Sequence, residues 1–273
     1  ARRIGANLSL QASGARGGPF TAHAETPFLA VEARGAVDEH LALDGAAHFV
    51  ATSARVSDIA RESPFPLGAA RLEGELRCVS NATAIQATLT ASEADAFGEQ
   101  VRLSGSVEAA LTRQAFTLRA NLNASNDPGP LFRRAQLNTS LSYDIRRRRF
   151  SLDRATLESD AASADGQGWY NRGEGEFSGE WRVRKLRALS LDLNGEASGN
   201  WRALALPEQE RRVWTTTIAG AGADIGGRSP LAQVLGRQPR IDARLRNENG
   251  GVTVSHARVD GARLRMGAAG RIV

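Results

Sequence analysis

The feature that most constrains this chain is the alternation of apolar and polar residues with a period of two. In one run, apolar Ile85, Ala87 and Leu89 alternate with polar Gln86 and Thr88. Successive side chains of a strand point to opposite faces of a sheet, so such a run predicts a strand with one apolar and one polar face. The same pattern predicts further strands at 72–78, 101–107, 116–123, 137–145, 175–183, 189–193, 241–245, 252–254 and 262–266.

Short turn signals separate these strands, at 126–129, 165–166 and 249–251. No intervening segment is long enough for the crossover that parallel strands require, so the strands should form an antiparallel meander. Short helical pieces are expected at 57–62, 207–212 and 229–236. The last begins with Ser229-Pro230 and ends at Gly236, which are typical cap residues.

Two local patterns add detail to the meander. Arg146 to Arg149 lie between two strands and should form a hairpin tip, either as a solvated turn or in contact with lipid phosphates or a partner. Segments 150–157 and 252–259 resemble each other, because in each an apolar pair is followed, after an interruption, by a second apolar pair. This loose repeat favours a stacked architecture.

Composition favours a thin sheet. Hydrophobic residues make up 41% of the chain, but only 5% of residues are aromatic and 28 are glycine, so a thick interior would be hard to fill. The formal net charge is +5, and the arginines are interleaved with 30 acidic residues instead of massed on one surface, which argues against a nucleic-acid partner. Cys78 is the sole cysteine, so no intramolecular disulfide can form.

No catalytic motif stands out. The four histidines lack metal-ligand spacing, and neither a nucleophile elbow nor a phosphate loop is present, so we expect no enzyme activity, no metal and no cofactor. Two glycine-rich stretches, 173–179 and 220–226, imitate a dinucleotide-binding turn without the helix that should follow. Glu174, Glu176 and Glu180 should share the outward face of one strand, where an ordinary charged surface is the favoured interpretation.

The stretch Ser229-Pro-Leu-Ala-Gln-Val-Leu-Gly-Arg-Gln-Pro-Arg-Ile-Asp-Ala-Arg-Leu and the following Val252-Thr-Val-Ser-His-Ala-Arg-Val-Asp-Gly-Ala-Arg-Leu resemble the TamB / AsmA-like family, and segment 58–107 is similar in style. The resemblance implies an all-β fold: a long antiparallel sheet curled into a taco-like or half-barrel groove with an apolar interior. Residues 1–273 would be one continuous piece of a larger protein, with a soft boundary near 126–130.

The resemblance also implies a function. Proteins of this family act in the periplasm of the Gram-negative envelope, move phospholipid between the inner and outer membranes, and support outer-membrane protein assembly through a TamA-like barrel partner. Contact with that partner, the inner-membrane anchor and any export signal would lie outside this segment, which contains no apolar run of about 18 residues.

The residues expected to line the groove and contact phospholipid acyl chains are the apolar members of the alternating runs. They are Ile85, Leu89, Val101, Leu103, Phe116, Leu118, Leu122, Leu137, Leu141, Phe150, Leu152, Leu189, Leu191, Leu193, Ile241, Leu245, Val252, Val254 and Leu264.

Three alternatives stay open on the sequence alone. The same apolar residues could meet a second sheet and form a closed sandwich core. The chain could be a structural or adhesin-like β-stack whose outward loops bind a partner. A polysaccharide-acting β-solenoid enzyme would need carboxylates that converge on one sheet face.

Overall fold

The fold is that of a computed structural model. It describes residues 9–26, 29–40, 43–53, 67–79, 84–96, 99–126, 132–189, 193–208, 211–248 and 251–272. The chain divides into two compact units, Ala1–Asp127 and Pro128–Val273. The single continuous segment with a soft boundary near 126–130 stays a prediction. The fold class is all-β, as the alternation predicted.

Unit 1 is an antiparallel meander in which each strand pairs with the strand before and after it. Its strands are β1 (Ser9–Gly14), β2 (Pro19–Glu25), β3 (Ala30–Val37), β4 (Leu43–Ser53), β5 (Leu67–Val79), β6 (Ala84–Ala96), β7 (Glu99–Leu111) and β8 (Ala115–Ser125). The ladders run without a break from β1–β2 to β7–β8. Within the described part of this unit, β1 and β8 are edge strands.

Unit 2 is a second antiparallel meander, with a short helix near one end of its strands. Its elements are β9 (Arg134–Asp144), β10 (Arg149–Ser159), β11 (Ala162–Asn171), β12 (Glu174–Val183), a 3₁₀ turn (Leu186–Leu189), β13 (Asn194–Glu208), β14 (Arg211–Gly226), α1 (Pro230–Leu235), β15 (Arg240–Glu248), β16 (Gly251–Asp260) and β17 (Arg265–Ile272). Consecutive strands pair from β9–β10 to β16–β17.

Bulges keep the apolar side chains of the long strands on one face. The register of β10 with β11 shifts between Leu152 and Ala155, and that of β16 with β17 shifts between Val254 and Ala257. At each shift the bulge absorbs one extra residue, so the following apolar pair lies on the face that the first pair occupies. The loose repeat in the sequence therefore encodes a bulge inside a continuing strand.

Helix α1 covers a small hydrophobic cluster at one end of the unit 2 strands. The Ser229 hydroxyl accepts a hydrogen bond from the Leu231 N–H (3.1 Å), and Gly236 closes the helix with φ 70°, so both predicted caps are confirmed. The buried members of this cluster are Leu186, Leu193, Ala197, Ile225, Ala232 and Leu235. Half-buried Val259 and Leu264 pack against it.

The cluster explains two wrong strand predictions. The described ends of segment 189–193 are not in a strand, since Leu189 ends the 3₁₀ turn and Leu193 packs in the cluster, while residues 190–192 lie outside the described residues. Segment 262–266 enters β17 only at Arg265. The Ala262 and Arg263 N–H groups instead donate to the carbonyls of Leu235 and Val234, which close the last turn of α1.

The other local predictions have different outcomes. Segment 207–212 was predicted to be helical, but its described residues belong to β13 and β14, where Pro207 pairs with Arg212 and Glu208 with Arg211. The predicted turn at 165–166 is wrong as well, since it lies within β11. The helix at 57–62 and most of the turn at 126–129 lie outside the described residues. The hairpin at 146–149 is confirmed by the pairing of β9 with β10. Strands β15 and β16 pair as far as Glu248 and Gly251, on either side of residues 249–250, which lie outside the described residues.

Deletion of Ser255 tests the role of the bulges. Without the extra residue, β16 alternates regularly from Val252 to Val259, so Ala257 and Val259 stay on the apolar face and the strand no longer needs to bulge. We expect the free energy of unfolding to change by less than about 1 kcal/mol, because Val259 stays packed against the cluster. Guanidinium titration followed by circular dichroism measures this change.

The matched control is deletion of Thr217 in β14, whose ladders with β13 and β15 continue without a shift on either side of it. There the residues beyond the deletion exchange faces, so the free energy of unfolding should fall by about 3 kcal/mol or more. Equal losses in the two deletions would contradict the proposed role of the bulge.

Candidate functional site

The apolar side chains of unit 1 share one face across consecutive strands. Ile85 pairs with Cys78 of β5 and Ala109 of β7, and Ala109 pairs with Leu118 of β8. Directly paired residues point to the same side of a sheet, so this row and its parallel rows form one surface. We call it apolar face 1. Its rows also contain Phe49, Leu72, Leu76, Ala87, Leu89, Leu103, Val107, Phe116, Ala120 and Leu122.

Burial on apolar face 1 is uneven. Leu89 and Val101 are buried, Leu118 and Leu122 are half-buried, and Ile85 keeps 49% of its surface exposed. No large side chain of the described residues is less than 2% exposed. The face therefore has a thin layer of small and medium side chains, in agreement with the low aromatic content.

The corresponding surface of unit 2, apolar face 2, carries a strip of four aromatic rings. Phe150 and Phe177 have ring centroids 6.4 Å apart, and Phe177 and Trp214 have centroids 5.8 Å apart. Tyr170 stacks on Trp214 at 5.8 Å although three strand spacings separate their backbones. The two rings can meet because they reach across Gly175 and Ala205, which lie between them in the same row. We call these four residues the aromatic strip.

Two further indoles lie flat on apolar face 2, each over a glycine two strands away. A Cβ atom added at Gly166 would lie 2.7 Å from the Trp201 ring, and one added at Gly220 would meet the Trp181 ring. The Trp201 Nε1–H donates to the Asp165 carbonyl (3.0 Å), which fixes that ring in place. The glycine-rich stretches at 173–179 and 220–226 thus serve to seat and surround aromatic rings.

The opposite face of each unit is polar and carries ion pairs. Arg202 contacts Glu176 at 2.8 Å, and Arg71 contacts Glu73 at 2.8 Å. Hydrogen bonds from the Arg258 and Arg265 guanidinium groups lower the pKa of Asp260 below its usual value. These pairs are exposed, so they contribute little to stability, but they keep the charge on one side of each meander.

The predicted groove residues fall into three sets. Register places Ile85, Leu89, Val101, Leu103, Phe116, Leu118 and Leu122 on apolar face 1. It places Leu137, Leu141, Phe150, Leu152, Ile241, Leu245, Val252 and Val254 on apolar face 2. Leu193 and Leu264 pack instead in the cluster under α1, Leu189 ends the 3₁₀ turn, and Leu191 lies outside the described residues.

The sequence analysis missed the aromatic members of apolar face 2 other than Phe150. They are Tyr143, Tyr170, Phe177, Trp181, Trp201 and Trp214. The signal that could have located most of them is glycine at a spacing of two on neighbouring strands. This pattern leaves room for a ring that lies flat across the sheet.

Two depressions on unit 2 lie mainly over its polar face. One of them is lined by residues that include Asp165, Gln167, Ser178, Glu180 and Arg202. Among the described residues, no group of three or more His, Cys, Asp or Glu side chains could hold a metal ion. In that same part of the chain, no helix is long and apolar enough to cross a membrane.

The arrangement offers a broad apolar surface, without convergent polar groups, on the side opposite the charges. Such a surface can bind extended hydrocarbon through many weak contacts. No protein-family model, curated protein or solved structure matches the chain.

Replacing Trp214 with Ala tests the aromatic strip. We expect the free energy of unfolding to fall by about 2–3 kcal/mol, because the stacking on Tyr170 is lost and Ala205, which is only 1% exposed, is uncovered. The matched control is Trp169→Ala on the polar face, where the indole has one cation–π contact with Arg149 at 4.9 Å and should cost about 1 kcal/mol or less. Similar losses in the two variants would argue against a packed strip.

Proposed function

We propose that this chain is a non-enzymatic lipid-binding segment whose apolar faces contact the acyl chains of phospholipid. One observation carries the proposal: register places the apolar side chains of consecutive strands on one face and the ion pairs on the other. An apolar face that extends over so many strands needs an apolar partner to keep it out of water.

Binding by hydrophobic contacts alone allows a ligand to move along the apolar faces. An acyl chain gains about 0.8 kcal/mol for each CH₂ group that it buries. Rows such as Ile85–Ala109–Leu118 supply this gain repeatedly, without hydrogen bonds that would fix the ligand at one position. A lipid can therefore pass from one row to the next at little cost.

Curvature of the sheet into a taco-like or half-barrel groove is part of the proposal. Bulges bend the strand that carries them and increase its twist. Register shifts occur in β5, β6, β10 and β16, where they favour a bent strand over a flat one. A bent apolar face would surround more of each acyl chain than a flat one.

The resemblance of segments 229–245 and 252–264 to the TamB / AsmA-like family supports a setting for this activity. The chain would belong to a periplasmic part of a Gram-negative envelope protein that conducts phospholipid between the inner and outer membranes. Support of outer-membrane protein assembly through a TamA-like barrel partner, and the inner-membrane anchor, would reside in other parts of the parent protein.

A second candidate is a structural or adhesin-like β-stack that binds a partner through its polar faces. The depressions over the polar face of unit 2, lined by Glu180, Arg202 and their neighbours, favour this function. In that case the apolar faces would be covered by protein instead of lipid.

Photo-crosslinking separates the two functions. Benzoylphenylalanine at Leu118, on apolar face 1, should yield phospholipid adducts when the chain is irradiated with vesicles of phosphatidylethanolamine and phosphatidylglycerol. The same residue at Arg119, its neighbour on the polar face, should yield adducts only at background. Mass spectrometry of the irradiated protein measures both.

Folding of both variants is checked by circular dichroism. Equal labelling at the two positions, or none at Leu118 in a folded chain, would overturn the lipid-binding proposal and favour the β-stack.

A further inference from the structure

Two neighbouring hairpin tips of unit 2 concentrate positive charge. The β9–β10 tip runs over residues 144–149 and the β11–β12 tip over residues 171–174, and together they hold five arginines and two carboxylates. Paired strands lie about 4.8 Å apart, so the two tips lie about 10 Å apart at the same end of the meander. We call Arg146, Arg147, Arg148, Arg149 and Arg172 the arginine rim.

Three of these arginines are free to bind a ligand. Arg147 pairs with Asp144, since their Nε and Oδ2 atoms lie 3.9 Å apart, and Arg149 stacks on Trp169. The side chains of Arg146, Arg148 and Arg172 are exposed and make no ion pair or hydrogen bond with the described residues. Arg148 and Arg172 occupy the left-handed positions of their turns, with φ 52° and 51°.

The aromatic strip begins immediately inward of the arginine rim. Phe150 follows Arg149 in the chain and pairs with Tyr170, which stacks on Trp214 on apolar face 2. Tyrosine and tryptophan favour boundaries between apolar and polar surroundings, because their rings are apolar and their O–H and N–H groups are polar. The order from the tip inward is therefore cation, aromatic ring and aliphatic face.

We infer that the arginine rim binds the phosphate of an anionic glycerophospholipid whose acyl chains lie on the aromatic strip and apolar face 2. The guanidinium group matches a phosphate with two parallel hydrogen bonds. A net negative headgroup suits three free cations better than a zwitterionic one, whose ammonium would face the same arginines. This inference rests on the proposed lipid-binding function and adds a preference among lipids to it.

The α1 end of unit 2 provides a charge-matched control. Arg228, Arg237 and Arg263 are exposed there and their side chains make no ion pair with the described part of the chain. They flank the hydrophobic cluster that α1 covers, where the aromatic strip does not extend. The control and the rim thus differ in position but not in the number of free arginines.

The experiment titrates the full 273-residue chain with fluorescent phosphatidylglycerol and with phosphatidylcholine of the same acyl chains, at low and at high salt. The wild-type chain should bind phosphatidylglycerol roughly tenfold more tightly at low salt and lose most of that preference at high salt. The variant Arg146→Glu/Arg148→Glu/Arg172→Glu should lose the preference while its affinity for phosphatidylcholine changes less than about twofold. The variant Arg228→Glu/Arg237→Glu/Arg263→Glu should keep the preference.

The outcomes separate the two hypotheses. Equal affinity of the wild-type chain for both lipids, or loss of the preference in both variants, overturns this inference and leaves the proposed function standing. Failure of the folded wild-type chain to bind either lipid overturns the proposed function and this inference with it. Abolition of the preference by inorganic phosphate alone would assign the rim to free phosphate and overturn its assignment to lipid.

Discussion

The whole arrangement depends on the phase of side-chain alternation along paired strands. A slip of one residue moves every apolar side chain of a strand to the polar face, so a meander with strands of up to 16 residues needs a means of correcting its register. The bulges supply that correction: beyond each shift, Ala155 in β10 and Ala257 in β16 return to the face of the residues before it. Without them, each strand would contribute a half-apolar, half-charged surface, and no continuous apolar face could exist.

The glycines and tryptophans of apolar face 2 determine how far its side chains rise above the backbone of the sheet. Trp181 and Trp201 extend along the sheet instead of standing away from it, and they can do so because Gly220 and Gly166 leave the space that a Cβ would fill. Each indole therefore covers the backbone of neighbouring strands with one ring. A chain with four tryptophans thereby gains apolar area over several strands without raising the height of the face.

The sequence predicted most of the strands that it addressed, but it did not predict where turns and helices separate them. Period-two alternation predicted β5 to β9, β12 and β15, because one face of each is apolar and the other polar. It failed at 189–193, where Leu189 ends the 3₁₀ turn and Leu193 packs in the cluster under α1. The helical turn expected at 207–212 was also wrong, because Pro207 and Glu208 of β13 pair with Arg212 and Arg211 of β14. Glycine spacing was interpreted by analogy with phosphate-binding turns, since only the register shows which ring lies over each glycine. The use of the apolar faces by lipid could be proposed from the sequence, but no local residue pattern specifies a ligand that is held by area alone.

The side chains of these faces rise little above the backbone, and this limits what can pack against them. Two sheets that pack as a sandwich stand about 10 Å apart and interdigitate large side chains from both inner faces. The rows of apolar face 2 contain glycine, alanine and flat indoles between the larger residues, so they offer few ridges for a second sheet to pack between. A flexible hydrocarbon chain fills shallow spaces without a fixed register and loses little when it shifts by one row. The glycines and alanines of apolar face 2 would weaken a sandwich core, but they are compatible with a face that holds lipid.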